Sequence, residues 1–319
     1  MPRWVYCCLS LIPLVLGTGA LWGCGDSGAD VKQPDSAPTK PADEQTDLNE
    51  LLSLPYTGGY LAKEDDPSGV VFSEPERVNP GYRLYTTQML SRADLIDVNG
   101  NVVHSWSHQP SGRWERAVLA DNGDLIAVGA DPSPAGEAQA LGVIADEARY
   151  VLRLDWSGNV LWRQHLLAHH DVELLPDGRL LVLTFERRLL PQVSDKIEVR
   201  DDELTILRAD GTTFRSQSML MAVSRQPGAF PLQSVKPTSQ NGVPWIDLFH
   251  SNSVQWLNSP ELAQINPIFA PGNVLVCFRH QNQIAIFDWD HWKAVWSWGR
   301  GELQGPHDAE VLPNGHVLV

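Results

Sequence analysis

The segment GPHDAEVLPNG occupies residues 305–315, and a near copy, AHHDVELLPDG, occupies residues 168–178. Each sets a histidine eight residues before the glycine of a Pro-Asn-Gly or Pro-Asp-Gly turn, and each continues into an apolar run, HVLV or RLLVL. A third copy, WERAVLADNG at 114–123, carries Glu115 in the histidine's place and continues into DLIAV. Strand-like runs on both sides of such a turn predict a β-hairpin.

A second hairpin type alternates with the first, in LIDVNGNVVHSW (95–106), YVLRLDWSGNVLWRQ (150–164), LTILRADGTTFRS (204–216) and IAIFDWDHWKAVWSWG (284–299). His104, Trp162 and Trp296 fall at equivalent places in it. Asp97, Asp155, Asp210 and Asp288 stand at the turn entry, where a short side chain can bond turn amides. Two hairpins in alternation, repeating roughly every 40 to 60 residues, predict four-stranded sheets and an all-β fold, a β-propeller. Twelve tryptophans recurring at hairpin ends suit packing between blades. No sustained helical periodicity is present; SMLMAVSRQ (218–226) suits one short helix or a loop equally. The repeat places His170 and His307 at the starts of inner strands, facing one shared axis from different blades.

The 319 residues are 43% hydrophobic and 20% charged, as in ordinary globular proteins, with a net charge of −15. That charge argues against nucleic acid or an anionic membrane surface as a general partner, and leaves room for a local basic pocket. The N-terminus differs from the rest. Arg3 precedes the apolar run 4–22, which reads as a secretory signal, with a spanning anchor as the competing reading. Leu21-Trp22-Gly23-Cys24 resembles a bacterial lipoprotein signal, which implies a signal peptide over 1–23 and lipidation at Cys24. Residues 24–50, rich in Asp, Pro, Ser and Ala, predict a flexible, disordered linker. Residues 51–94 are then an N-terminal segment packing on a propeller of residues 95–319. Cys7 and Cys8 leave with the signal, so Cys277 remains alone, without a disulfide partner, in the apolar run NVLVCF.

GPHDAEVLPNG, WIDLFHSNSVQW (245–256) and GYRLYTTQMLSRADLIDVNGNVVHSW (81–106) resemble the bacterial arylsulfate sulfotransferase family. An arginine one strand after the FHSNS histidine, followed by a W-x-W-G strand end, belongs to the same resemblance, which runs from about residue 68 to the end. The resemblance implies a six-bladed, envelope-located propeller that moves a sulfuryl group from a phenolic sulfate ester to a phenol. A transiently sulfurylated histidine carries the group, and no nucleotide sulfate donor takes part. It implies that His307 is the nucleophile and that His170, His250 and Arg279 are its partners in the channel. A Pro-rich insertion, PELAQINPIFAPG, lengthens the segment between His250 and Arg279. Material for about four blades precedes Val319, so a six-bladed relative implies a chain truncated at its C-terminus.

The residue types suit the chemistry. A neutral imidazole is nucleophilic near pH 7 and splits one hard step into two easier ones. A guanidinium fork matches the sulfuryl oxygens. Histidines beside the nucleophile can move protons. Asp171 and Asp308 read as turn or blade-bonding groups, His169 as structural, and His280 and His316 as surface or packing residues. The scheme requires no metal and no organic cofactor. Its partners are a phenolic sulfate donor, a phenol acceptor and, through the lipid, a membrane facing periplasm or exterior. The alternative is an envelope-anchored propeller that binds a partner without chemistry, or an inactive truncated relative. A quinone-dependent dehydrogenase, which would need a metal site and a quinone pocket, lacks sequence support.

Overall fold

Six turns close with the same pair of main-chain hydrogen bonds, at Asp97, Ala120, Asp155, Leu175, Arg208 and Leu312. In each, the first residue donates to the carbonyl four residues on, and a glycine three residues on donates back to it. Those glycines have φ between 80° and 88°, a conformation that costs a glycine nothing and any other residue strain. The turn signals of both hairpin types therefore fix one turn geometry. The geometry comes from a computed structural model that describes residues 70, 74–86, 90–109, 112–132, 144–240 and 243–319. The expected signal segment 1–23, the lipidation site Cys24 and the linker 24–50 lie outside the described residues.

The hairpins assemble into consecutive sheets, antiparallel except where residues 198–200 pair in parallel with residues 245–247. The first contains β1 (Arg83–Thr86), β2 (Arg92–Ile96) and β3 (Val102–Ser107). The second is β4 (Arg113–Leu119), β5 (Leu125–Ala130), β6 (Arg149–Leu154) and β7 (Val160–His165). The third is β8 (Ala168–Leu174), β9 (Leu180–Leu190), β10 (Ser194–Leu207) and β11 (Thr213–Ser218), extended at β10 by β12 (Thr238–Gln240) and β13 (Val243–Asp247). The fourth is β14 (Ser251–Trp256), β15 (Asn273–Phe278), β16 (Gln283–Asp288) and β17 (Lys293–Trp298). A hairpin of β18 (Glu310–Val311) and β19 (Val317–Leu318) follows.

This succession of up-and-down sheets, three-stranded in the first and built on four meandering strands in the next three, is a four-blade β-propeller arrangement. Residues 83–86 and 92–94, assigned from sequence to a separate packing segment, lie inside the first blade, because β1 pairs with β2 from Arg83 opposite Ile96 to Thr86 opposite Ala93. The short polar run of β1 hides that membership in the sequence. The stretch 218–226 forms a short helix, Met219–Arg225, capped by the Ser218 hydroxyl. Among the described residues no helix is long and apolar enough to cross a membrane.

The blades pack face to face. Leu125 and Ala127 belong to the apolar cluster shared with Ala93, Leu95 and Trp106 of the first blade. Their neighbours Ile126 and Val128 belong to the cluster shared with Val172, Leu180 and Val182 of the third. Successive side chains leave a strand on opposite faces, so a strand between two blades must be apolar throughout. The run LIAVGA of β5 is buried at every position for that reason. Blades three and four enclose Leu181, Leu183, Val254 and Val276, and blade four meets β18 through Cys277, Ala309 and Val311. Burial pushes the Cys277 thiol up to about 12, so it stays a protonated packing group.

The outer hairpins carry their tryptophans as seals. Each blade has one register shift at the same place, next to Leu95–His104, Arg153–Trp162, Ile206–Arg215 and Ile286–Trp296. Trp162 Nε1–H donates to the carbonyl of Ala209 at 2.8 Å, and its ring covers Gly211 of the next blade. Asp97, Asp155, Asp210 and Asp288 each accept turn amides, as their position predicts.

Candidate functional site

The matching turns set the inner strands in register. Counting back from Ala120, Leu175, Leu257 and Leu312, whose amides bond equivalently, aligns Glu115 with His170, Asn252 and His307. Side chains stitch these strands together from blade to blade. Glu115 Oε2 accepts the His170 N–H at 2.7 Å. Asp171 Oδ2 accepts the Val254 N–H at 2.9 Å, and a Glu173 carboxylate oxygen accepts the Trp256 N–H. Ser253 Oγ and Gln255 Oε1 accept the N–H groups of Ala309 and Val311 at 3.0 and 2.7 Å. Asp171 is thus a blade-bonding group, as its position after His170 suggests.

The starts of these strands gather the four residues expected from sequence. The rings of His170 and His250 lie 5.1 Å apart, edge to face. The Arg279 N–H donates to the His250 carbonyl at 3.2 Å, tying β15's end to β14's start. The Arg279 side chain passes Gly305, where an added Cβ would stand 3.9 Å from its Cγ. His307 closes the group and lies within the fields of Arg279 and His250. The Pro-rich insertion does not disturb this. It forms the β14–β15 connection, with a helix at Pro260–Ile265 and a 3-10 turn at Pro267–Phe269, at the far end of the hairpin.

Two of the site histidines have left-handed backbones, His170 at φ 55° and His250 at φ 48°, and Asp308, beside His307, has φ 55°. Such residues store on the order of 1–3 kcal/mol each and persist where neighbours hold them in place. His170 sits where β8 bulges, between Ala168 and Val172, and His250 immediately precedes β14, which bulges between Ser251 and Ser253.

The partners of each ring fix its tautomer, because carbonyl oxygens only accept. His307 Nδ1–H donates to the Gly305 carbonyl at 2.8 Å. His169 Nε2–H donates to the Thr184 carbonyl at 3.3 Å, so its Nδ1 accepts, at 2.8 Å, from His170 Nδ1–H. His250 Nδ1–H donates to Asp247 Oδ2 at 2.5 Å. All three site histidines thus use Nδ1 toward the protein and keep Nε2 for a ligand. His169, fully buried, serves as the acceptor that orients His170.

Burial dominates the charge states. It lowers the His170 imidazole to about 3, against the opposing pull of Glu115, so His170 is neutral at pH 7. Burial also lowers His307, helped by the nearby charges of Arg279 and His250 and opposed by its bond to Gly305. Burial pushes Asp247 up, but His250 and Arg200 outweigh it and hold the carboxyl well below the usual carboxylate range. Asp247 therefore remains an anion on His250 Nδ1.

Sequence reasoning missed several members. The ring of His280, read as a surface or packing residue, lies 4.5 Å from that of His250 at a tilt of 41°. Asn252, Asp247 and Glu115 support the site without having been named for it. Asp247 stood three residues before His250, and Asn252 two after it, in the one string WIDLFHSNSVQW. His316 is exposed, as expected. Among the described residues, only Asp247, His250 and His280 bring three metal-binding atoms within 4.8 Å of one another. They do not fit a cation, since both Nδ1 atoms donate to Asp247 and the Arg279 guanidinium holds the His280 Nε2 at 2.8 Å. A separate cavity of about 290 Å³, lined by Arg188, Asp201, Ser218 and Arg225 among others, includes none of the site residues.

No family model and no curated protein matches this chain. Among solved structures it is similar to a protein of unknown function from Bacteroides caccae, at 12% identity and a TM-score of 0.40, covering 73% of this chain and 64% of that one. It is also similar to the hydrazine synthase of Kuenenia stuttgartiensis, at 17% identity and a TM-score of 0.38, covering 66% of this chain and 49% of that one. The chain thus spans less than two thirds of the length of either structure.

Proposed function

We propose that this propeller is an arylsulfotransferase that carries the sulfuryl group on His307. The observation that carries the reading is the shared tautomer of His170, His250 and His307, each with Nδ1 committed to the protein and Nε2 open, beside Arg279. The resemblance of FHSNSV and GPHDAEVLPNG to the arylsulfate sulfotransferase family supports it independently.

In the first half-reaction, the His307 Nε2 lone pair attacks sulfur as the bond from sulfur to the aryl oxygen breaks. The leaving phenolate takes a proton delivered at His250 Nε2, whose Nδ1–H the Asp247 carboxylate holds. In the second, the acceptor phenol's oxygen attacks the same sulfur, its proton passes to His250 Nε2, and the N–S bond breaks. His307 regains its lone pair. The bond from His307 Nδ1–H to the Gly305 carbonyl steadies the positive ring while it carries the sulfuryl group. Arg279 faces the sulfuryl oxygens as a planar fork. His170, neutral, offers its Nε2 lone pair to the acceptor's hydroxyl before the proton passes to His250. A preorganised donor such as an Arg279 N–H contributes ~3–4 kcal/mol of transition-state stabilisation. The lipid-anchored envelope location belongs to the same proposal and rests on the N-terminal signal alone.

A fluorogenic aryl sulfate, incubated with and without a phenol acceptor and with no nucleotide sulfate, tests the reading. Acceptor-dependent release that is lost in His307→Ala supports it. Release that survives in His307→Ala, or no release from folded wild-type protein, rejects it.

A further inference from the structure

The His280 ring bridges two members of the site. Its Nδ1–H donates to the Asp247 carbonyl at 2.7 Å, which leaves the lone pair on Nε2. That nitrogen accepts from Arg279 Nη1–H at 2.8 Å. The His280 N–H donates to the Phe249 carbonyl at 3.1 Å, so the backbone on both sides of the bridge is pinned to the segment that carries His250. The Arg279 Nε–H, in contrast, is buried and has no hydrogen-bond partner among the described residues.

A guanidinium offers two parallel N–H groups along its Nε–Nη2 edge, a spacing that matches two oxygens of one oxyanion. With one Nη1–H committed to His280, the Nε–Nη2 side edge keeps both of its N–H groups for a ligand. We propose that His280 is a positioning residue that presents the Nε–Nη2 edge of Arg279 to two oxygens of a sulfuryl group. Its geometry stands alone, and its role in turnover rests on the sulfotransfer reading. Only an unprotonated Nε2 can accept from Arg279, and burial, outweighing Asp247, lowers His280 to about 4. The bridge is therefore intact at neutral pH.

Three variants test this: His280→Ala, His280→Gln, whose Oε1 can replace the Nε2 acceptor, and Arg279→Lys. With an aryl sulfate donor, His280→Ala should lower kcat/KM by on the order of 10²-fold, and His280→Gln should recover most of the loss. A wild-type rate in His280→Ala, or a His280→Gln variant no better than it, overturns the proposal. A second readout needs no turnover. The Arg279 Nε–Hε resonance, identified by its loss in Arg279→Lys, should be sharp and should shift with inorganic sulfate in the wild type and in His280→Gln. It should broaden in His280→Ala. An unchanged resonance in His280→Ala overturns the proposal whatever the activity. The expected spectra from a wild-type protein without turnover would uphold the positioning role and reject the reaction.

Discussion

The side-chain amide of Asn252 holds the segment of His307 from both sides. Its Oδ1 accepts the Asp308 N–H at 3.2 Å, and its Nδ2–H donates to the Pro306 carbonyl at 2.8 Å. Asn252 occupies the strand position that His170 and His307 occupy in their own blades. It fixes the His307 segment, the proposed nucleophile's carrier, from there without titrating.

Replacing Asn252 by Ala should remove both bonds, lowering stability by ~1–2 kcal/mol in urea unfolding. Turnover should fall more than that loss implies, by about 10- to 100-fold, because the nucleophile's carrier loop is released. Equal activity in wild type and Asn252→Ala would refute the positioning role.

The His307 pKa lies below the ordinary imidazole value of 6.5. A nucleophilic His307 must be unprotonated, so the acid limb of kcat/KM should fall below pH 6.5. A limb above pH 6.5 would mean that another group controls the step.

Buried histidines and a buried acid pull stability in opposite directions. His170 and His280, lowered to about 3 and about 4, bind protons more readily in the unfolded chain. Their contribution is complete above pH 6.5 and declines as pH falls toward 4 and 3. Burial raises Glu173 to about 8, so the folded chain binds its proton more tightly. Its contribution is complete below pH 4.5 and is lost as pH rises through 8. Gln255 fills the same strand position one blade on, accepting the Val311 N–H. Glu173→Gln should therefore keep the bond to Trp256 and shrink the drop in urea midpoint between pH 5 and pH 8. An undiminished drop would assign the alkaline loss elsewhere.

Two glycines with nearly equal φ separate backbone strain from packing. Gly178, at φ 84°, has open space where a Cβ would go, whereas Gly211, at φ 85°, would place it 2.7 Å from the Trp162 ring. Gly178→Ala should cost ~1 kcal/mol for the left-handed backbone alone. Gly211→Ala should cost ~1–3 kcal/mol more, because the ring that seals two blades must move. Equal unfolding midpoints would show that Trp162 yields freely.

The sequence by itself determined the turns and the blades, and its repeats and the family resemblance together pointed to four candidate site residues. Turn chemistry is local: Asp or Leu at entry and glycine at the left-handed position act within five residues, so LLPDGRL and VLPNGHV read the same wherever they fold. Strands buried on both faces must be apolar, so LIAVGA and NVLVCF were legible too. His170 and His307 were found because they repeat at a fixed distance from such turns.

The tertiary structure alone decided what surrounds those histidines. His280 reads as a polar residue beside an arginine, and only the pairing of β14 with β15 turns its ring onto His250 and Asp247. Glu115 reaches His170 across 55 positions, and Asn252 reaches Asp308 across 56. β1 was missed because a short, half-exposed strand carries little periodicity until β2 pairs with it. The tautomers likewise depend on carbonyls supplied by neighbouring strands and loops. A repeat announces itself along the chain, but a hydrogen-bonded cluster between blades exists only once packing of successive sheets has supplied its partners.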